Sequence, residues 1–514
     1  LSGVERSLHP SQVLWYRRML PGEVERRSGR RWLLHFGAVD QFAAVYVNKR
    51  LAKKHLGGYL PFSVDVTDFL RKGENELIVG VRDFTDQSYY SRGKQKLQRG
   101  GMFYTAQSGI WQTVWMEEVP EAHVDRLKIT PLYDEKMVEV TVCCADRGQV
   151  SVAVSSEETQ PWEVEGEANE PIRIPVPRMH PWTPEDPFLY FLSVTFGEDR
   201  VDSYFAMRKI SVSLDAEGIP RTFLNGRPYF QRGVLDQGYW PDGLYTAPCD
   251  EALEFDIREM KRLGFNMLRK HIKIEPERWY YHCDRLGMLV WQDMVCGGRP
   301  YRKWYVTYLA NGLEKFHIRM TDRTYGLLGR KEEKGRQQFV EEMKETIRLL
   351  WNHPSIVTWV LFNEGWGQFD AKEVTRLARE MDPSRLIDQA SGWFDQGGGD
   401  FRSIHNYFFK LRFWREERVQ ALTEFGGFCW RCREHSMSGK VYGYRIYGSK
   451  KELSAGYGQL IKEVASHIGE GLSVTIYTQL SDVEEEVNGI YTYDREILKI
   501  DENVLKEWNE KCSI

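Results

Sequence analysis

The chain has 514 residues, too many for one hydrophobic core, so about three domains are expected. With 42% hydrophobic residues, 28% charged residues and a formal net charge of −4, the balance is that of an ordinary globular protein. It lacks the basic bias of a nucleic-acid or membrane-surface binder, and no run approaches the roughly 18 apolar residues of a membrane span.

The opening residues, LSGVERSLHP, lack the apolar stretch of a signal peptide, and a cytoplasmic protein is the expectation. The 8 cysteines form no small-domain framework and read as reduced thiols. Cys429 and Cys432 make a lone CxxC with no second ligand pair, so no metal or redox role is assigned to them. The 17 Trp, 26 Tyr and 25 Phe supply flat faces of the kind that stack on sugar rings, although cores use the same residues.

In chain order, residues 1–30 are poor in strand signal, and the first sheet is expected to be incomplete there. From 31 to 119, segments such as FAAVYVNKR, NELIVGVRDF and GIWQTVWMEEV alternate with period two, as antiparallel strands do, and a jelly-roll β-sandwich over 1–119 is expected. Short strands continue through VEVTVCCAD, VSVAVSS and LYFLSVTF, spaced as in an immunoglobulin-like β-sandwich over 120–210.

After 211 the rhythm changes to apolar runs alternating with helical stretches. Eight strand candidates follow: 230–236, 265–271, 288–294, 356–364, 386–392, 401–407, 421–427 and 474–480. Eight βα units close into a (β/α)8 TIM barrel over 211–514. The segment from Gly297 to about Gly335 is long, basic and aromatic, and lies either over the catalytic face or on an outer surface.

In such a barrel the active site lies at the C-terminal strand ends. Asp236, His271, Asp293, Asn363, Glu364, His405, Tyr407 and Glu424 all fall there. Either glutamate alone reads equally as a solvated loop residue or an ion-pair partner. Two of them at opposite sides of one barrel mouth fit the acid and nucleophile of glycoside hydrolysis.

These segments carry a resemblance. NHPSIVTWVLFNE (352–364) resembles the acid/base signature of glycoside hydrolase family 2, and TEFGG (423–427) resembles its nucleophile segment. YFAMRKI (204–210) followed by FLNGRPYFQRGV (223–234) is similar to the family's passage from sandwich into barrel, and SGIWQTVWME (108–117) to the last strand of its sugar-binding domain. The resemblance implies a retaining β-glycosidase with Glu364 as acid/base and Glu424 as nucleophile. It further implies that Asn363 meets the sugar 2-hydroxyl, that Tyr407 hydrogen-bonds the nucleophile, and that His271 stands near the sugar. His405, Asp236 and Trp366 are further sugar-binding candidates; Asp236 and Asp293 serve equally as braces for neighbouring side chains.

Glucuronidases of the family clamp the sugar carboxylate with an Asn and a Lys two residues apart; here Glu486 and Asn488 take those places. An acid there repels a glucuronate, so a β-galactosidase-type substrate is expected. The basic loop SRGKQKLQRGG (91–101) is a contrary hint, since it can approach the sugar and attract an anion. Some family members use Mg²⁺ or Na⁺ near the sugar, but no compact ligand cluster shows in the sequence, and neither metal nor cofactor is assigned. The expected partner is a carbohydrate, with a homo-oligomer left open. The rival reading is a carbohydrate-binding protein that kept the fold and lost turnover; a transglycosylase would share the same residues.

Overall fold

The computed structural model describes residues 6–314, 318–413 and 416–512. Residues 1–5 of the opening segment and 315–317 of the long segment after the third barrel strand lie outside the described residues.

The first domain is a sandwich of two antiparallel sheets. One orders Leu14–Met19, Glu76–Arg82, Phe42–Val47 and Arg50–Leu56; the other orders Val114–Pro120, Arg30–Phe36 and Phe62–Asp65. Inward residues of both sheets, among them Leu34, Phe36, Val45, Val64 and Val79, make its core. The segment 1–30, poor in strand signal, nevertheless supplies one strand to the first domain. Leu14–Met19 pairs antiparallel with Glu76–Arg82, Leu14 opposite Val81. It escaped notice because it is an edge strand, mostly exposed and carrying two arginines, so burial imposes no clear alternation on it.

The second sandwich packs Val124–Leu132, Met137–Cys144 and Pro171–Pro175 against a four-stranded sheet ordered Thr159–Glu167, Gln149–Ser156, Tyr190–Phe196 and Asp199–Phe205. Its valine-rich interior includes Val138, Val140, Val152, Val154 and Val194.

The catalytic-type barrel follows. Its parallel strands are β1 (Gln231–Asp236), β2 (Met267–Lys270), β3 (Leu289–Asp293), β4 (Ile356–Val360), β5 (Leu386–Asp388), β6 (Phe401–Asn406), β7 (Val419–Gly426) and β8 (Leu472–Thr478). Each of the eight candidate segments contains or overlaps one of them. Hydrogen bonds run unbroken from β5 back through β1 to β8, β7 and β6, leaving only the β5–β6 seam without a ladder. There the Ser403 hydroxyl donates to Asp388 at 2.7 Å. Among the described residues, the β5–β6 and β6–β7 connections carry no helix, unlike the other βα units.

Strand alternation divides the barrel side chains. Val234, Leu268 and Val290 face outward into the cluster holding Ile257, Met260 and Ile347 of the surrounding helices. Leu235, Met267, Leu289 and Trp291 fill the inside with Val474 and Ile476. No helix among the described residues is long and apolar enough to cross a membrane.

The domains are tied by buried polar contacts. The fully buried Trp182 donates its indole N–H to the Asp284 carbonyl at 2.8 Å, and Arg208 donates to the carbonyls of Pro354 and Ile356, each at 3.0 Å. On the opposite side of the barrel, the Arg92 and Gly93 amides of the first domain donate to the Cys296 carbonyl just after β3, at 3.3 and 3.0 Å. That contact brings the basic 91–101 loop to the barrel mouth.

Replacing Trp182 with Ala opens a cavity and breaks the bond to Asp284, so the unfolding midpoint in a thermal scan should fall by an amount equivalent to about 3–5 kcal/mol. Leu214→Ala, at a side chain 62% exposed, should change stability by less than about 0.5 kcal/mol.

Candidate functional site

The ladder between β4 and β5 runs on past the strands: the Leu361 amide donates to the Asp388 carbonyl at 2.9 Å and the Glu364 amide to the Ser391 carbonyl at 2.8 Å. Glu364 then takes a left-handed backbone, φ 51°, and turns the chain at the barrel mouth. A non-glycine residue there costs about 1–3 kcal/mol, and such strain persists where surrounding bonds over-determine it. On β7 the register slips between Leu422 and Phe425 against β8, and β6 slips against β7 between Ile404 and His405. Irregularities of this kind re-aim a side chain, here Glu424, beside His405.

One carboxylate oxygen of Glu364, one of Glu424 and a His405 ring nitrogen lie within 4.8 Å of one another. The two carboxylates live in different surroundings. Tyr407 donates its hydroxyl to Glu424 Oε2 at 2.6 Å, and Arg269 Nη1 donates to Glu424 Oε1 at 3.3 Å. Burial pushes the Glu424 carboxyl up, but the groups that face it, His405 first, then His271, Arg269 and Lys94, outweigh burial and hold it at about 2. Burial also pushes Glu364 up; the charge of Glu424 adds to the rise, and the hydrogen bond with His405 only partly opposes it. The Glu364 carboxyl therefore keeps its proton to higher pH than the Glu424 carboxyl that faces it.

Asn363 is 1% exposed; its side-chain oxygen accepts from Arg269 Nη2 at 2.8 Å while its amide nitrogen has no hydrogen-bond partner among the described residues. A buried donor without an acceptor is costly unless a ligand meets it. His271 Nδ1 stands 2.9 Å from Asp293, and burial, with Lys94 and Arg269 nearby, pushes its pKa well below the usual imidazole value, leaving it neutral. Trp366 lies between the domains, stacked on Tyr301 at 6.0 Å and tilted against Phe103 at 5.6 Å.

Two expected sugar contacts are corrected. Asp236 shares the outward parity of Val234, so its carboxylate turns behind the barrel wall to Lys270 Nζ at 2.6 Å and the Gly238 amide at 2.8 Å. His405 has a fully enclosed side chain with both ring nitrogens engaged, by Glu364 and by Ser391 at 2.9 Å each. Asp293 serves as a brace, held by both arms of Arg269 at 2.9 and 3.0 Å.

Arg269 itself was missed. It shares the inward parity of Met267, which would have placed a guanidinium in the barrel lumen. Also missed were Tyr444, stacked on Tyr407 at 3.7 Å, and Lys94, which is 6% exposed and sits 5.7 Å from the Trp366 ring.

The trio of Glu364, His405 and Glu424 does not fit a hard cation such as Mg²⁺ or Na⁺. Such ions want several oxygen ligands, whereas these oxygens already take protons from Tyr407 and Arg269, the latter itself a cation. The second such group, His435 with Asp494 and Glu496, is half-buried at the histidine and exposed at both acids.

Three stretches match family profiles: residues 9–120, "Glycosyl hydrolases family 2, sugar binding domain"; 122–208, "Glycosyl hydrolases family 2"; and 224–411, "Glycosyl hydrolases family 2, TIM barrel domain". The chain is 24% identical over 394 residues to a β-galactosidase of Thermoanaerobacter pseudethanolicus, covering 73% of this chain and 48% of that one. It is 24% identical over 416 residues to a β-glucuronidase of Rattus norvegicus, covering 73% and 58%. The chain thus spans about half the length of these curated relatives. A Ruminococcus gnavus β-glucuronidase structure superposes with a TM-score of 0.74 at 18% identity, covering 97% of this chain and 88% of that one. A β-galacturonidase from Eisenbergiella tayi bound to galacturonate superposes at 0.71 with 20% identity, covering 98% and 90%. At these identities the likeness to solved structures is one of fold.

The two carboxyls should titrate far apart when followed by ¹³C NMR of labelled glutamate, Glu424 near 2 and Glu364 above the ordinary glutamate value. Tyr407→Phe removes a donor that favours the charged form, so the Glu424 titration should move up by about one unit. Overlapping titrations in the wild type would contradict the asymmetry.

Proposed function

Because the chain belongs to glycoside hydrolase family 2, we propose that it is a retaining exo-β-glycosidase acting on a terminal β-linked sugar by double displacement. The carboxylate pair carries this reading: oxygens within 4.8 Å suit the spacing of about 5–5.5 Å between carboxyls in retaining enzymes. Inverting enzymes need about 6.5–9.5 Å to admit a water.

Glu424, ionised, attacks the anomeric carbon while Glu364 gives its proton to the leaving oxygen. Once Glu424 is esterified its charge is gone, Glu364 loses the neighbour that helped keep it protonated, and it can take a proton from the water that opens the ester. The unpartnered Asn363 amide is suited to the sugar 2-hydroxyl, a contact that strengthens in the transition state.

For the sugar, a β-galactosidase-type reading rests on Glu486 and Asn488. The Tyr104 hydroxyl and the Asn488 amide both donate to Glu486, and Lys499 beside this segment is committed to Asp482 and the Val487 carbonyl, so this wall offers an acid where a uronate clamp would need a free cation. One observation favours a second reading, an acidic sugar. Lys94 is buried, makes no ion pair among the described residues, and its charge bears on both Glu364 and Glu424.

A panel of aryl β-glycosides (galactoside, glucuronide, galacturonide, mannoside, glucoside) tests both levels. One sugar should be released as the β-anomer first, seen by proton NMR, and Glu424→Ala should lose at least about 10³-fold in turnover. First release of the α-anomer, or an Ala variant as fast as wild type, refutes the mechanism. Silence across the panel with retained sugar binding would make the protein a binder.

A further inference from the structure

We infer that His405 shares the acid proton with Glu364, so that the acid of this site is a carboxyl–imidazole pair and not a lone carboxyl. The inference rests on the acid role proposed for Glu364.

The His405 ring cannot be a sugar contact, because its side chain has no exposed surface. It is clamped from both sides. The Trp393 ring edge meets it at 6.0 Å, and a β-carbon at Gly392, whose φ is +87°, would come within 3.0 Å of Nδ1. Only a glycine leaves room for the ring at that place. A ring held this tightly presents a fixed nitrogen to each neighbour.

The neighbours determine which nitrogen carries hydrogen. Ser391 Oγ accepts from Arg269 Nη1 at 2.9 Å and spends its one proton on Thr423 Oγ1 at 2.9 Å. Guanidinium can only donate, so the serine oxygen is left as an acceptor toward His405 Nε2, 2.9 Å away. Nε2 therefore carries a hydrogen, and the second hydrogen-bonding position of the ring, Nδ1, is the one that can gain or lose a proton. Nδ1 faces Glu364 Oε1 at 2.9 Å, with Glu424 Oε2 farther off at 3.6 Å. A carboxyl held protonated meets a basic nitrogen along one hydrogen bond, and a single proton has two sites.

The other charged and titratable groups around the ring are already committed. Arg269 and Asp293 are paired, Asp388 accepts from Ser403, His271 is neutral, and Tyr407 donates to Glu424. In the first step the shared proton passes through Glu364 Oε to the leaving oxygen, leaving neutral His405 beside ionised Glu364. In the second step the hydrolytic water returns one proton to the pair, so the cycle balances. His405 touches Glu364 and not the sugar, which makes it a positioning residue.

The sign of one pH effect separates this from a purely structural histidine. A histidine that merely donated a hydrogen bond to the Glu364 carboxylate would hold that acid down, and its loss would carry the basic limb of kcat/KM to higher pH. A shared proton has two sites, and losing one weakens its hold. His405→Asn should therefore move the basic limb about one unit to lower pH. It should also lower kcat/KM about 10²-fold for an alkyl β-glycoside, which needs its leaving oxygen protonated, with a loss at least about tenfold smaller for the 2,4-dinitrophenyl glycoside. A limb that stays in place or moves upward, or equal losses with both leaving groups, overturns the proposal.

A second measurement needs no turnover and so stands even if the glycosidase reading fails. In ¹⁵N NMR of folded protein labelled at histidine, the His405 Nδ1 signal should lie between those of a bare and a protonated nitrogen, and should move to the bare position in Glu364→Gln. An Nδ1 signal identical in wild type and Glu364→Gln overturns the shared proton, whatever the enzyme assays give.

Discussion

The Arg269 guanidinium sits at the centre of the barrel mouth with its side chain wholly buried and makes six hydrogen bonds. Its five partner residues come from four places on the barrel: Asp293 from β3, Asn363 after β4, Ser391 after β5, and the Thr423 carbonyl and Glu424 carboxylate from β7. Burying a cation is expensive, and only such complete satisfaction by charges and dipoles makes it tolerable. The same arrangement is brittle. Removing one partner of a buried pair costs about 3–5 kcal/mol, because the other charge is left uncompensated. Much of the proposed machinery is set by this group directly or at one remove: Glu424 and Asn363 by contact, Tyr407 through Glu424, His271 through Asp293, and His405 and the Glu364 backbone through Ser391.

Arg269 also helps explain why two glutamates of the same chemistry differ. It is permanently charged and lies against Glu424, while at Glu364 burial and the neighbouring anion outweigh His405 and Lys94. The linkage runs in opposite senses for the two. Glu424, depressed to about 2, adds stability above the unfolded value of about 4.3 and loses it as pH falls toward 2. Glu364, raised, is neutral to stability in acid and costs stability as pH climbs from the unfolded value through the folded one. The fold thus stores part of the cost of a protonated acid in Glu364 and recovers part of it at Glu424. Two carboxyls driven apart in this way can serve as acid and nucleophile at one pH.

Much of the barrel was legible because burial acts on it strongly. Most of the strands are confined between a filled lumen and a helical shell, so apolar runs mark them; β6, which no helix among the described residues follows, is only partly buried. The edge strand at 14–19 is free on one side and shows no such mark. Glu364 and Glu424 were legible because an acid directly after an apolar strand has no packing reason to be there. Asp236 looked similar, and the one-residue parity that turns it outward is visible only when Val234 is followed along the strand. The roles of Arg269, Ser391 and His405 depend on who meets whom across five strands, and spacing along the chain carries no such information.

The first domain takes part in the site. The Thr105 amide donates to Glu484 at 2.9 Å and the Tyr104 hydroxyl to Glu486, both acids of the segment that follows β8. Between these anchors and the Cys296 carbonyl, the 91–101 loop is held at both ends, and Lys94 is its one basic side chain whose charge reaches the carboxylate pair. A barrel detached from the sandwich would keep Glu364, Glu424 and Arg269 but lose one wall of the pocket and the cation in it. On the proposed reading, the chemistry therefore belongs to the barrel and the choice of sugar to the contact between domains, because the buried Arg269 lies wholly in the barrel while Lys94 comes from the first domain.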